Sequence, residues 1–329
     1  MRVFLYLCLI FSSYLFSCAN ADMRSKIGSE DTTKIKCAED NAPVKGCIAT
    51  AKRHQTCNFY AFDINTNIYI GNSIEDLDII DDITGVETAL SPDGKIVAYA
   101  SKNVKPGSVY LYDIKNKCNR HLDFPISDEI SKPFFAPQGD FLAVSALSPD
   151  TQLPKILLYD LRKDTFKIVG RENMGGFNPT FSPNGKKIVF HDMEKVYIYD
   201  YNGNTCVKLS KTIPCGEFCP QDKMGISSVC KFQLSSDEKY MYYTYDYWDS
   251  DTVRSIAFAC YDISSGKIEY LSKKEKSCCD FHASDDGNVY FLLQDSLNCF
   301  LYLTENGSKK SSKVFGKNFE TPCSFSISY

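Results

Sequence analysis

The hexapeptide LSPDGK, residues 90–95, is the first of five related turns in this chain. The other copies begin at Phe135, Phe181, Leu234 and Ala283, so the apolar anchors lie 45, 46, 53 and 49 residues apart. Proline at the third position presets φ for a turn, and the Asx-Gly pair supplies a side-chain hydrogen bond and the positive φ that close it. The chain is therefore built from a repeated unit that contains a tight turn.

Two strand-like segments follow each turn. After the turn at Phe181, segments 187–190 and 196–199 are rich in β-branched and aromatic residues, and a second turn leads to segment 205–209. With one strand ahead of the turn, each unit has four antiparallel strands, which is the blade of a β-propeller. Five copies in phase disfavour a β-sandwich with similar turns. The other strand pairs are 96–101 with 108–113, 141–146 with 155–160, 239–245 with 256–262, and 288–294 with 299–304.

The two ends of the chain supply one more unit. Segments 57–63, 67–72 and 74–80 match second, third and fourth strands, and segment 322–329 matches a first strand. We therefore predict an all-β fold over residues 57–329, a six-bladed β-propeller of four-stranded antiparallel blades. Pairing of the C-terminal strand with the N-terminal strands is expected to close the ring and to leave no open sheet edge between the termini.

The SPDGK-type turns followed by VYxYD-type strands resemble the WD-repeat-like propeller repeats of the TolB family. The resemblance covers nearly all of residues 57–329 and implies a fold rather than a function, because unrelated activities share such blades. TolB carries an α/β domain ahead of its propeller, and residues 22–56 are too few for one. The resemblance therefore concerns the propeller part alone.

The N-terminus has the form of a secretory signal peptide, with a positive residue, an apolar run and then small residues. Ala19-Asn20-Ala21 is a small-x-small cleavage site, which predicts residues 1–21 as the signal peptide and 22–56 as an N-terminal extension. Leu15-Phe16-Ser17-Cys18 resembles a bacterial lipobox, so a lipid anchor on Cys18 is the alternative. No later segment reaches membrane-spanning length. We expect an exported protein, periplasmic or secreted.

The chain contains 15 cysteines, and disulfides are the expected state in an oxidising compartment. Cys37 and Cys47 bracket a short segment and are candidate mutual partners. The other candidates lie in connections that enter a first strand, or at its start, and these connections share one face of a propeller. A metal site is the alternative, but the CxxC pairs typical of zinc are missing, so we predict neither a metal nor a cofactor. These candidates are Cys215, Cys219, Cys230, Cys278, Cys279 and Cys323.

No motif for nucleophilic catalysis, zinc-dependent proteolysis or phosphate binding is present, and no catalytic residue is predicted. The segment 245–251 holds the only tryptophan, in a connection between second and third strands. Aromatic and acidic residues in an exposed connection are typical of a partner-binding loop. A solvated hairpin tip and a Ca²⁺ site are the alternatives. The predicted partner-binding residues are Tyr245, Asp246, Tyr247, Trp248 and Asp249.

The formal net charge is −4 and the lysines are not clustered, so neither nucleic acid nor an anionic membrane is an expected partner. The leading interpretation is an exported TolB-like propeller that binds a protein or peptide in the cell envelope or the extracellular space. The alternative is a lyase or hydrolase acting on a small or saccharide substrate over the channel. Converging His, Arg and carboxylate groups at the channel mouth would favour the enzyme, and an apolar-aromatic surface would favour binding.

Overall fold

The structure is a computed structural model, and the residues that it describes belong to one compact unit, Pro43–Tyr329. For the strands near the two ends of the chain only the backbone is described. The predicted signal peptide, Cys18, Cys37 and segment 74–80 lie outside the described residues. The described ranges are 47–53, 56–63, 68–72, 88–101, 108–113, 116, 118–123, 131, 133–148, 153–170, 174–201, 207–249, 254–272, 277–295, 298–304, 311–313, 319–320 and 322–327.

The described secondary structure is almost entirely β, with one short 3-10 helix at Cys215–Glu217. In the five units that follow the repeated turns, the predicted second and third strands are confirmed to within a few residues. In chain order the strands are β1 Cys47–Arg53, β2 Thr56–Asp63, β3 Ile68–Asn72, β4 Thr88–Leu90, β5 Ile96–Ser101, β6 Ser108–Asp113, β7 Cys118–Asp123, β8 Phe134–Phe135, β9 Phe141–Leu147, β10 Pro154–Asp160, β11 Thr165–Val169, β12 Phe177–Phe181, β13 Lys187–His191, β14 Lys195–Tyr201, β15 Val207–Pro214, β16 Met224–Gly225, β17 Phe232–Leu234, β18 Tyr240–Trp248, β19 Arg254–Asp262, β20 Ile268–Tyr270, β21 Ser277–Ala283, β22 Val289–Asp295, β23 Asn298–Thr304, β24 Ser311–Lys313, β25 Phe319–Glu320 and β26 Pro322–Ile327.

Five antiparallel sheets are built from strands that follow one another in the chain, and each is a propeller blade. Blade 1 is β4–β7, blade 2 is β8–β11 and blade 3 is β12–β15, with four strands each. Blade 4, β16–β20, and blade 5, β21–β25, each have four strands and one additional strand of two residues, β16 and β25. The predicted count of six is thus corrected to five blades. The difference arises because the unit assembled from the two chain ends is a separate sheet of strands that are not consecutive, with the order β26-β1-β2-β3.

This terminal sheet confirms that the C-terminal strand pairs with N-terminal strands, since β26 pairs antiparallel with β1. The strand assignment within it differs from the prediction. Cys47–Arg53 forms the second strand, so segment 57–63 is the third strand and segment 67–72 the fourth. The first strands β4, β8, β12, β17, β21 and β26 contact one another in that order, and β26 contacts β4. The terminal sheet therefore lies between blades 5 and 1.

A serine hydroxyl organises the turn between the first and second strands of most blades. In blade 1 the Ser91 Oγ donates a hydrogen bond to the Asp93 Oδ1 at 2.7 Å and accepts one from the Ile96 N–H at 2.9 Å. Ser182 with Asn184 and Ser235 with Asp237 repeat both bonds in blades 3 and 4. The side chain of the first turn residue thus fixes where the second strand begins.

The fifth position of the hexapeptide has a left-handed backbone. It is glycine in four copies, for example Gly94 at φ 70° and Gly139 at φ 72°. In blade 4 the position is Glu238, at φ 60°. Glu238 keeps this costly conformation while its Oε1 accepts a hydrogen bond at 3.0 Å from Asn184 in the turn of blade 3.

The hydrophobic core lies between neighbouring blades. One cluster joins Leu142 and Val144 of blade 2 to Val109 and Leu122 of blade 1. Three further clusters join blades 2 and 3, blades 3 and 4, and blades 4 and 5. The apolar anchor of every turn is buried, which places the end of each first strand firmly against its neighbours.

The strain at Glu238 can be measured by a pair of substitutions. Glu238→Ala and Glu238→Gly both remove the contact with Asn184, but only glycine adopts the left-handed backbone without cost. We expect Glu238→Gly to be more stable than Glu238→Ala by about 1 kcal/mol, measured by urea denaturation. Equal stabilities, or a less stable glycine variant, would contradict a strained turn.

Candidate functional site

The propeller has two chemically different faces. Because successive strands of a blade run in opposite directions, the turns between first and second strands all emerge on one face, here called the turn face. The connections into the first strands and the turns between second and third strands emerge on the opposite face, here called the insert face. The segment 215–230, which precedes β17, and the exposed end of β18 at Trp248 therefore belong to the insert face.

A cavity of about 440 Å³ lies at the centre of the ring on the turn face. All five blades contribute to its wall, for example through Leu90, Phe135, Phe181, Gln233 and Ala283. Only the centre of the ring is shared by five blades, so this cavity is the mouth of the propeller channel. The mouth lies opposite the face on which the sequence had placed the site.

The residue just before each apolar anchor faces the channel. In the successive blades this residue is Ala89, Phe134, Thr180, Gln233 and His282, and all except Thr180 line the cavity. Gln233 is buried, and its amide spans three blades: Nε2 donates to the Phe181 carbonyl at 3.1 Å and Oε1 accepts from the Ala283 N–H at 2.9 Å. Buried amides bonded on both sides hold the inner strands in register.

Two aromatic rings cross the channel at the bottom of the cavity. Phe134 of blade 2 stacks on His282 of blade 5, with ring centroids 5.7 Å apart and planes 13° apart. Behind them the Lys231 Nζ lies 5.2 Å from the centroid of Phe134 and 4.7 Å from that of Phe281. Lys231 is paired with the buried Asp280 at 3.0 Å and also donates to the Phe281 carbonyl. The floor of the cavity is thus aromatic, and the charge of the nearby Lys231 is neutralised by Asp280.

The rim of the cavity consists of the turns themselves. Neighbouring turns touch: a Cβ on Gly139 would lie 3.7 Å from Pro92 Cδ, and the Asn184 Nδ2 donates to the Ser236 carbonyl at 2.8 Å. Asp93 and Asp285 are the carboxylates of the cavity wall. Burial acts to raise the pKa of Asp93, but hydrogen bonds from Ser91 and Lys95 bring that pKa below its usual value. Asp93 is therefore ionised at neutral pH.

The predicted partner-binding residues separate into two groups. Tyr245, Asp246 and Tyr247 are buried within β18, so these side chains pack inside the blade and do not form an exposed binding loop. Trp248 and Asp249 are exposed on the insert face. Burial raises the pKa of Asp246, opposed by Arg254, whose Nε donates to the Asp246 Oδ1 at 2.8 Å. The Arg254 guanidinium also lies 5.8 Å from the Trp248 ring centroid.

The cysteines with described side chains carry free thiols, including Cys215, Cys219, Cys230 and Cys278. The first three pack in the core between blades 3 and 4, whereas Cys278 packs between blades 4 and 5. Burial raises the pKa of Cys215 to about 12 and that of Cys219 to about 12, so these thiols are poor nucleophiles. Disulfides among the candidates remain a prediction, and the side chains of Cys47, Cys279 and Cys323 lie outside the described residues.

His191 is a structural residue that ties blade 3 to the insert face. It is fully buried, and its Nδ1 accepts a hydrogen bond from the Met193 N–H at 3.2 Å. With Nδ1 an acceptor, Nε2 carries the proton and donates to the Cys230 carbonyl at 2.7 Å. Burial lowers the pKa of His191 to about 4. The imidazole is therefore neutral in the folded state.

No group of three or more His, Cys, Asp or Glu side chains in the described ranges is arranged to hold a metal ion. No helix in the part of the chain that the structure describes is long and apolar enough to cross a membrane. The channel mouth is therefore the candidate site that the geometry itself defines.

Comparisons with known proteins agree with the fold. No protein-family model and no curated protein matches the sequence. Among solved structures, TolB from Acinetobacter baumannii is similar over 85% of this chain and 66% of that chain, just under two thirds of its length, with 20% identity and a TM-score of 0.56. A putative TolB from Agrobacterium tumefaciens is similar over 84% and 93%, with 14% identity and a TM-score of 0.55.

A third similar structure is a nidogen–laminin complex, with 9% identity, coverage of 86% of this chain and 99% of that chain, and a TM-score of 0.52. At these identities the likeness concerns the fold alone. The class is thus an all-β propeller of four-stranded antiparallel blades, and its structural neighbours are TolB-like.

The buried neutral His191 makes stability depend on pH. Below about pH 6.5 an unfolded histidine binds a proton that the folded protein excludes, so stability falls as the pH drops from about 6.5 towards 4, by at most about 1.4 kcal/mol per pH unit. His191→Phe removes this contribution, and its stability difference from wild type should shrink on acidification. The denaturation midpoints of both proteins at several pH values measure this difference.

The Lys231–Asp280 pair is expected to be important for stability because both groups are nearly excluded from solvent. Lys231→Met leaves a buried carboxylate uncompensated and should lower the free energy of unfolding by about 3–5 kcal/mol. Lys95→Met, which breaks the exposed pair with Asp93, should cost about 1 kcal/mol or less. Thermal unfolding of both variants tests the contrast. Similar losses would contradict a special role for the channel pair.

Proposed function

We propose that this chain is an exported TolB-like propeller that binds an extended segment of a protein or peptide partner at the mouth of its channel. The observation that carries this proposal is the cavity of about 440 Å³ to which all five blades contribute. A concave, largely apolar site with a few convergent polar groups is the usual form of a ligand site. A cavity of this volume accepts one or two side chains, and the surrounding turns offer contact for the flanking residues.

The lining chemistry supports binding of a peptide segment. Pro92, Pro137 and Pro183 place proline rings around the rim, and Phe135 and Phe181 form apolar walls. Such walls suit an aliphatic or aromatic side chain, whereas Gln233 has both ends of its amide committed to the neighbouring strands. The wall therefore offers shape and apolar surface to a partner.

The enzyme alternative would need acid and base groups that converge on the cavity. Among the described lining residues His282 is the one imidazole, and its ring is stacked on Phe134. Lys231 and Asp280 lie behind the floor and neutralise each other. This arrangement favours binding over a lyase or hydrolase reaction. One structural neighbour, the nidogen–laminin complex, contains a similar fold within a complex of proteins.

Export remains part of the proposal and depends on the N-terminal sequence. A positive residue, an apolar run and Ala19-Asn20-Ala21 support cleavage after residue 21, with anchoring through Cys18 as the alternative. The TolB-like structural neighbours are consistent with a protein of the cell envelope. An envelope or extracellular protein is the partner expected under either cleavage.

A matched pair of blocking substitutions tests the site. Gln138 is an exposed rim residue on the turn face, and Gln221 is an exposed residue on the insert face. We expect Gln138→Trp to fill the mouth and to abolish capture of the partner from an envelope extract of the source cells. Gln221→Trp adds the same side chain to the other face and should capture the partner as wild type does.

A third variant, Trp248→Ala, separates the two faces. If the turn face is the binding face, this variant keeps the partner. Loss of the partner in Trp248→Ala together with unchanged capture by Gln138→Trp would transfer the site to the insert face and overturn the proposal. Turnover of a saccharide by the wild-type protein, abolished by His282→Ala, would establish the enzyme instead.

A further inference from the structure

The floor of the channel mouth disfavours a cationic group. Phe134 and His282 cross the channel there, and the Lys231 Nζ lies 5.2 Å from the Phe134 centroid. The charge of Lys231 is compensated by Asp280, so the floor attracts no additional anion strongly. A cation at the same depth would lose its hydration without gaining a carboxylate partner. An apolar side chain meets aromatic surface without that cost.

The rim has the opposite preference. The five turns, residues 91–95, 136–140, 182–187, 235–239 and 284–288, contain more carboxylates than amines. Lys187 pairs with Asp200 outside the turns and also lies 3.7 Å from the Oε2 of Glu238 in the turn of blade 4. Asp140 is likewise paired, with Arg162 at 3.3 Å. The carboxylates are Asp93, Asp140, Asp237, Glu238, Asp285 and Asp286, and the remaining lysines are Lys95, Lys186 and Lys239.

Two of these carboxylates line the cavity itself. Asp93 forms an exposed pair with Lys95 at 3.1 Å, and such surface pairs exchange partners at little cost. Asp285 is exposed on the rim in blade 5, which the terminal sheet separates from blade 1. Asp286 beside it is bonded to Ser284 and Asn288, which leaves Asp285 as the carboxylate of that turn nearest to an incoming chain. Negative charge at the entrance and apolar surface below it form one continuous site.

Resting on the proposed function, we infer that the partner segment is basic: an apolar side chain enters the cavity, and lysine or arginine residues on either side of it pair with Asp93 and Asp285. The carboxylates at the rim and the aromatic rings at the floor support this order along the peptide. A cation belongs at the rim, where carboxylates and water surround it, and its aliphatic stem can lie along Pro92. The apolar anchor belongs at the floor, against Phe181 and Phe134.

The probe for this inference is a fluorescein-labelled peptide with one leucine flanked on each side by two lysines, titrated against the full-length mature protein by fluorescence anisotropy. We expect it to bind about tenfold or more tightly than the same peptide with glutamate in place of lysine, and to weaken as salt is added. A version with glycine in place of leucine should also bind more weakly, because it leaves the floor uncovered.

The variant Asp93→Asn/Asp285→Asn should reduce affinity for the lysine peptide by about tenfold and remove most of the salt dependence. The control Glu194→Gln/Asp222→Asn makes the same change in net charge with exposed residues of the insert face, and it should leave the affinity unchanged. Circular dichroism of both variants verifies the fold.

Three outcomes would overturn the inference: equal affinities for the lysine and glutamate peptides, an equal effect of the control variant, or no effect of the rim variant. Each of them leaves the proposed function in place as long as Gln138→Trp still abolishes capture of the natural partner. If Gln138→Trp has no effect on that partner, the proposed function itself fails. The two failures are therefore distinguishable.

Discussion

The hydrogen bonds of the serine at the start of the repeated turn place the channel side chains of this propeller. Ser91, Ser182 and Ser235 each bond to an Asx side chain two residues later and to the N–H that begins the second strand. These bonds fix the end of the first strand, and with it the residue before the apolar anchor. Since that residue faces the channel, a local turn determines which side chains meet at the centre of the ring. Blade 2 has Ala136 in place of serine and keeps the backbone bond from Gly139 to Ala136.

Much of the fold could be predicted from the sequence because its signals are local. The predicted strands 96–101 and 108–113, for example, are confirmed as β5 and β6 with the same bounds. The terminal sheet was harder, since Cys47–Arg53 has no turn of the SPDGK type ahead of it and reads as part of an extension. The number of blades depended on that sheet, and it was the part of the prediction that needed correction.

The site was the weaker part of the prediction, and the reason is physical. Aromatic and acidic residues near Trp248 suggested an exposed loop, but Tyr245 and Tyr247 belong to a nine-residue strand that buries them. A usable signal did exist. Lys231 and Asp280 occupy one position of the repeat, and Gln233 and His282 occupy another, two residues along. Strand alternation places both positions towards the channel. Side chains from blades that are far apart in the sequence meet there. Which of them are in contact depends on how the ring closes, and this cannot be read from the repeat alone.

The stack of Phe134 on His282 limits how much conformational entropy the propeller itself can lose when a partner binds. It joins blades on opposite sides of the channel, so widening the ring would separate the two aromatic surfaces and expose Lys231. The channel mouth is therefore preorganised for the binding proposed above. Conformational entropy lost on association falls almost wholly on the incoming chain. A partner segment that is already extended before it binds would lose less entropy and bind more tightly.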